Sequence, residues 1–195
     1  MVTAPSALRE SLRGLSTREL VRTCSRLHLK GRHDDERRGA VLALRATAQR
    51  IGFLSEQAAE LEDELDRLIR QLCPALLDLP GLGVVTSAQI LVSWSHRGRI
   101  RNEPAFAALA GAAPIPASSG ELTRHRLSRS GDRQLNRALH NVVLARMRTD
   151  ARTGEYVARR RAEGRSTREI QRCLKRAVAR QLYRFLEAHA QPVGP

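Results

Sequence analysis

Aromatic side chains are scarce in this chain: one Trp, two Tyr and three Phe among 195 residues. Packing therefore falls to Leu, Ala, Val and Ile, which favours helices over a β-sandwich. Cysteine is as sparse. Cys24, Cys73 and Cys173 are far apart and odd in number, with no C-x-x-C pair. That excludes a disulfide framework and a zinc ribbon, and fits a reducing cytosol. Cys173 occupies an apolar position in a helical pattern and is expected in the core. No apolar run reaches membrane length and the N-terminus has no signal-peptide core, so the expectation is a cytoplasmic protein without membrane contact. The His residues are too scattered to suggest a metal site.

Basic residues are plentiful. The formal net charge is +14, and hydrophobic residues make up 42% of the chain, enough for a core. Between Gly120 and Phe185 stand eighteen Lys/Arg against six acids, a net +12 that leaves only +2 for the rest. Nearly all of these cations are Arg, whose planar fork can grip a phosphate with two parallel donors. Charge of this size in one region points to a polyanionic partner rather than a generally solvated surface.

The N-terminal segment, residues 1–36, reads as one or two short helices, with Ser16 and Glu19 in a capping-box pattern. Asp34, Asp35 and Glu36 are expected to complement the dipole of the next helix rather than to hold a metal. That helix, over 37–74, carries Leu44, Ile51, Leu54, Ala58, Leu61, Leu65, Leu68 and Leu72 at a 3.5-residue repeat. A repeat held this long makes the narrow apolar seam of a coiled coil, so the chain is expected to self-associate into a homo-oligomer. Glu60, Glu62, Asp63, Glu64 and Asp66 lie off the seam as a solvated acidic face.

Residues 75–189 read as a compact helical domain, and 190–195 as a tail. Leu79-Pro80-Gly81-Leu82-Gly83 opens an apolar helix and looks like the turn of a helix-hairpin-helix element. Gly81 and Gly83 would allow close backbone approach, and free N–H groups at the helix start could face a phosphate. A tight helix–helix turn is the plainer reading of the same residues. A short helix with Pro104 in its first turn stops at Gly111. Two prolines bar a helix in the loop from Ala112 to Gly120, and the stretch between Pro114 and Ser130 has room for a short hairpin. Arg124, His125, Arg126 and Arg129 then form an anion-binding run. Two amphipathic helices close the domain, with a short helix around Tyr156 to Arg161 between them. Arg133 and Arg137 lie beside the stripe of the first; Arg172, Lys175, Arg176, Arg180 and Arg184 face away from the stripe of the last.

In their order, L-P-G-x-G (Leu79 to Gly83), F-A-A-L-A-G-A-A-P-I-P-A-S-S-G (Phe106 to Gly120), R-H-R-L-S-R-S-G-D-R-Q-L-N-R-A-L (Arg124 to Leu139) and S-T-R-E-I-x-R-C-L-K-R (Ser166 to Arg176) carry a resemblance. The stretch from Leu79 to Leu186 resembles the C-terminal transposase domain of the insertion-sequence 110 family, which is related to the Piv-type DNA invertases. The heptad helix looks like the coiled coil that precedes this domain in the family. The resemblance implies a recombinase that cuts and rejoins DNA under the guidance of a structured RNA. It also implies a serine that attacks a DNA phosphate and becomes covalently attached, and by the match to the loop ending in Gly120 that serine is Ser119.

The family's N-terminal RuvC-like domain supplies four metal-binding acidic residues, and nothing before Leu44 offers them. No cofactor is therefore expected in this chain, with Mg2+ entering only alongside that missing domain. A serine hydroxyl needs a base or metal to assist proton removal, and a five-coordinate phosphorus needs cations around it. Arg124, Arg126, Arg129 and Arg133 answer the second need. His125 reads as a phosphate contact more readily than as a base. Two function classes follow. One is the DNA-binding C-terminal part of a transposase, catalytic only in a composite site with a partner such as the full-length enzyme. The other is a catalytically incompetent remnant that serves as a DNA- or RNA-binding module. The fold expected in either case is mainly α, a long coiled-coil helix leading into a compact helical domain.

Overall fold

In the computed structural model, residues 4–29, 34–113, 115–116, 125–126 and 131–190 are described. Among them the chain is built from helices: α1 (Ser6–Ser11), α2 (Thr17–Ser25), α3 (Asp35–Leu72), α4 (Val84–Trp94), α5 (Glu103–Leu109), α6 (Arg133–Thr149), α7 (Ala151–Ala162) and α8 (Thr167–His189). A 3-10 turn over Pro74–Leu76 follows α3. Two minimal strands, β1 (Ile115–Pro116) and β2 (His125–Arg126), pair antiparallel, with Ile115 opposite Arg126 and Pro116 opposite His125. None of the described helices is long and apolar enough to cross a membrane.

Local chemistry sets most helix starts. Ser16 accepts from the Glu19 N–H while Glu19 reaches back to the Ser16 N–H, and Ser166 with Glu169 repeats this box at α8. Asn102 caps α5 through Ala105, Asp132 caps α6 through Gln134 and Leu135, and Asp150 caps α7 through Thr153. Asp34 accepts from the Arg37 N–H at 2.7 Å, so the first carboxylate of the acidic cluster serves as the start of α3, as expected.

The chain divides into two compact units, Met1–Leu61 and Glu62–Pro195. In the first, Leu8, Leu12, Cys24, Val41 and Ala48 are buried together, with Leu20, Leu27 and Leu44 packed against them. The helix α3 is continuous over 38 residues. Its heptad seam is largely uncovered: Ile51, Leu54, Leu61 and Leu68 are 44%, 47%, 67% and 39% exposed.

In the second unit α4 and α8 pack on α6, α5 packs on α8, and α7 bridges α6 and α8. Ile90, Phe106, Leu135, Leu139, Val142, Leu182 and Leu186 are fully buried, each side chain stabilising the fold by about 1.5–3 kcal/mol relative to exposure. Ile69, on a face of α3 offset from the Leu seam, and Cys73, just past the end of that helix, join this core. One expectation is corrected here: Cys173 is exposed. The buried stripe of α8 runs through Ile170, Val178, Ala179, Leu182 and Leu186, which leaves Cys173 at its margin.

Candidate nucleic-acid interface

The L-P-G-x-G turn lies against α6. Gly81 has φ 76°, and a Cβ placed on it would stand 2.9 Å from both the Val142 carbonyl oxygen and Arg146 Cγ. The close approach that this glycine permits is thus taken up by α6. Arg146 Nε donates to the Pro80 carbonyl at 2.7 Å and its Nη1 to Gln181 Oε1 at 2.7 Å, so one side chain ties the turn to α6 and α8. Burial pushes the Arg146 guanidinium below its ordinary pKa. Gly83, by contrast, stands at the N-cap of α4 with no side-chain cap and open space where a Cβ would point. Of the two glycines, Gly83 is the one that leaves backbone accessible.

Both ends of the segment that carries the serines are clamped by described residues. At the far end Gly131 adopts φ 102°, where a Cβ would overlap the Leu109 carbonyl. The Asp132 N–H donates to that same carbonyl at 2.7 Å, and Asn136 Nδ2 donates to the Ala110 carbonyl at 2.6 Å. Ser93 on α4 donates to Asp132 Oδ2 at 2.5 Å, which fixes the carboxylate whose other oxygen caps α6. Desolvation raises the Asp132 carboxyl, but the Ser93 hydroxyl and the Leu135 and Gln134 N–H groups outweigh it and hold it below the usual range. Ser119, Arg124 and Arg129 lie outside the described residues. For His125 and Arg126 the description extends to the backbone pairing in β2.

Among the remaining expected contacts, Arg133 and Arg137 are exposed on α6 and Arg172 is exposed on α8. Lys175 is half-buried and donates to Asn136 Oδ1 at 3.2 Å, which joins α8 to the clamp. Burial, and secondarily the charge of Arg172, pushes the Lys175 ammonium below its ordinary pKa. Arg176 does not simply face outward. With Arg180 and Arg184 it converges on Glu103 of α5, at 3.3, 3.0 and 3.2 Å respectively. Arg180 and Arg184 remain exposed, away from the apolar stripe, whereas Arg176 is largely covered. Glu103 raised no local signal beyond its place in the first turn of α5, because its partners are more than seventy residues away. Partial desolvation pushes its carboxyl up, yet the Arg180 hydrogen bond and the three cationic charges hold it below the usual value.

The two clusters differ in what they can do. Lys175 bonds the clamp residue Asn136, and Arg133 and Arg137 are exposed on the same helix as Asn136, α6. Among the described residues no group of three or more His, Cys, Asp or Glu side chains could hold a metal.

Residues 73–158 match the family model described as the Transposase IS116/IS110/IS902 family. The Insertion element IS110 uncharacterized 43.6 kDa protein of Streptomyces coelicolor is 33% identical over 122 residues, which cover 61% of this chain and 30% of that protein. The Insertion element IS900 uncharacterized 42 kDa protein of Mycobacterium paratuberculosis is 31% identical over 117 residues, 59% of this chain and 29% of that protein. The chain thus matches less than a third of the length of either relative.

Proposed function

We propose, from residues 73–158 as a segment of the IS116/IS110/IS902 transposase family, that this chain is the DNA-binding C-terminal part of an insertion-sequence transposase that contributes Ser119 as nucleophile to a composite site. The observation that carries the reading is the clamp of Gly131, Asp132 and Asn136 on Leu109 and Ala110. It makes a rigid base for the serine-bearing segment, with Arg133 and Arg137 exposed on the adjoining α6, and rigid elements hold reacting groups more accurately than free loops.

In the proposed step Ser119 Oγ attacks a DNA phosphorus. An Oγ–P bond forms, the bond from phosphorus to one deoxyribose oxygen breaks, and that oxygen leaves and takes up a proton. Arg133 and Arg137, with Arg124, Arg126 and Arg129, neutralise charge on the non-bridging oxygens. The proton on Oγ must pass to a base, which the nuclease half of the composite site supplies. The described residues do not suit a magnesium ion, since they offer no carboxylate group of the required number, and no step here runs through one.

The test is covalent capture. Incubated with a nuclease-half partner, a guide RNA and DNA, the chain should form a serine–DNA adduct on a denaturing gel that Ser119→Ala abolishes and Ser118→Ala retains. Loss of an essential nucleophile removes many powers of ten in rate, so the contrast is large. An adduct that survives Ser119→Ala overturns the assignment. Salt-dependent DNA binding without any adduct under these conditions would leave a binding module, the remnant reading.

A further inference from the structure

The mechanism leaves one charged cluster unused. Arg176, Arg180 and Arg184 follow one another every four residues, so they form a ladder along one side of α8. One carboxylate faces all three: Glu103 Oε1 receives Arg176 and Arg180, and Oε2 receives Arg184. The Glu103 side chain is 16% exposed, whereas those of Arg180 and Arg184 are 52% and 71% exposed. The cluster therefore keeps two positive charges in excess, and it presents them to solvent. Its donors are also in surplus, because Arg176 Nη1 is buried with no hydrogen-bond partner. Phe185 stacks on His189 at 4.4 Å, and the two rings line one surface depression with Arg180 and Arg184.

Exposed ion pairs add little to stability, and a second and third Arg on one carboxylate add like-charge repulsion. This cluster holds excess Arg at the surface around a carboxylate whose two oxygens mimic those of a phosphate. We infer that the Arg180–Arg184 edge of α8 is a second contact surface for a nucleic-acid phosphodiester backbone, and that Glu103 is an intramolecular competitor which occupies these arginines until the backbone arrives. This inference rests on the nucleic-acid-handling reading above. It adds a surface carried by α5 and α8, separate from the clamp around the serine-bearing segment. A phosphate entering the ladder shares the guanidiniums with Glu103, so the nearby carboxylate weakens binding and steepens its dependence on local charge.

The experiment measures affinity against salt by fluorescence anisotropy with the full chain, using duplex DNA and a stem-loop RNA as the two probes. Glu103→Gln should tighten binding by roughly 1.5-fold to fivefold, the range of one exposed ion pair converted to affinity. Arg180→Ala with Arg184→Ala should make the slope of log affinity on log salt shallower by about 1.8 on duplex DNA, as two fewer counterions are released. The probe on which both effects are larger identifies the backbone, DNA or RNA. Weaker binding by a Glu103→Gln protein that unfolds at the unmodified temperature overturns the competitor role. A slope unchanged by the double Arg variant, while Arg133→Ala with Arg137→Ala makes it shallower, overturns the second surface and leaves the proposed function standing. Absence of salt-dependent binding by the unmodified chain to either probe overturns both. Should Glu103→Gln fail to fold, Arg184→Ala alone decides: its side chain is largely exposed, and its slope must fall by about 0.9 or the inference fails.

Discussion

Asn136 Nδ2 and the carbonyl oxygen of Ala110 lie 2.6 Å apart, and this bond ties the first turn of α6 to the end of α5. The amide oxygen of the same side chain is held by Lys175, so a single residue joins α5, α6 and α8 at the base of the serine-bearing segment. Removing it takes from the Ala110 carbonyl and the half-buried Lys175 ammonium the bonds they make to this side chain. Asn136→Ala should lower unfolding free energy by about 1–3 kcal/mol in urea titration. If the clamp positions the serine, adduct yield should fall further than DNA affinity does. Equal losses in both would assign Asn136 to the fold alone.

Gly131 gives a sharper contrast. At φ 102° a side chain is strained, and a Cβ would collide with the Leu109 carbonyl, which cannot move without breaking its bond to the Asp132 N–H. Gly98 has φ 80° but open space around its Cβ position. Thermal unfolding should show Gly131→Ala losing at least about 2 kcal/mol, against about 1 kcal/mol for Gly98→Ala. Equal losses would mean that the backbone angle matters and the close approach does not.

The uncovered seam of α3 makes the expected self-association testable. Leu61 is 67% exposed and sits midway between Leu54 and Leu68, which are also exposed. Leu61→Asp combined with Leu65→Asp should convert an oligomer into a monomer by light scattering, with little change in helicity of the second unit. An unmodified chain that is monomeric at about ten micromolar or above, where a coiled coil of modest affinity assembles, would refute this.

Acid should destabilise the second unit through its depressed carboxylates. Glu103 and Asp132 both titrate below their ordinary values in the folded chain. Their contribution is present above the unfolded values of about 4.3 and 3.9 and is lost as pH falls through the lower folded values. Urea midpoints should hold between neutral pH and about pH 5, then fall toward pH 3. Asp132→Asn should flatten that acid limb; an acid limb as steep as in the unmodified chain would show that Asp132 is not among its causes.

Much of the fold was written locally. Ser16 with Glu19 and Ser166 with Glu169 bond within one turn, so their spacing alone fixes two helix starts. The apolar repeats of α6 and α8 follow from 3.6 residues per turn, and the basic excess after Gly120 is a matter of composition. The ordered motifs from Leu79 to Arg176 likewise carry the family likeness in the sequence itself.

What tertiary structure decided lies between residues distant in sequence. Glu103 meets Arg184 only because α5 packs on α8, and Ser93 meets Asp132 only because α4 packs on α6. The use of Gly81 was settled in the same way: a flexible turn can admit a ligand or a neighbouring helix, and here α6 fills the space. Cys173 shows the limit of periodicity. A helical repeat defines a stripe, but its margin is set by where the neighbouring helices touch, and they leave that thiol outside. Residues up to four apart share one turn and their contacts follow from helix geometry, whereas contacts across the core depend on the packing of every element between them.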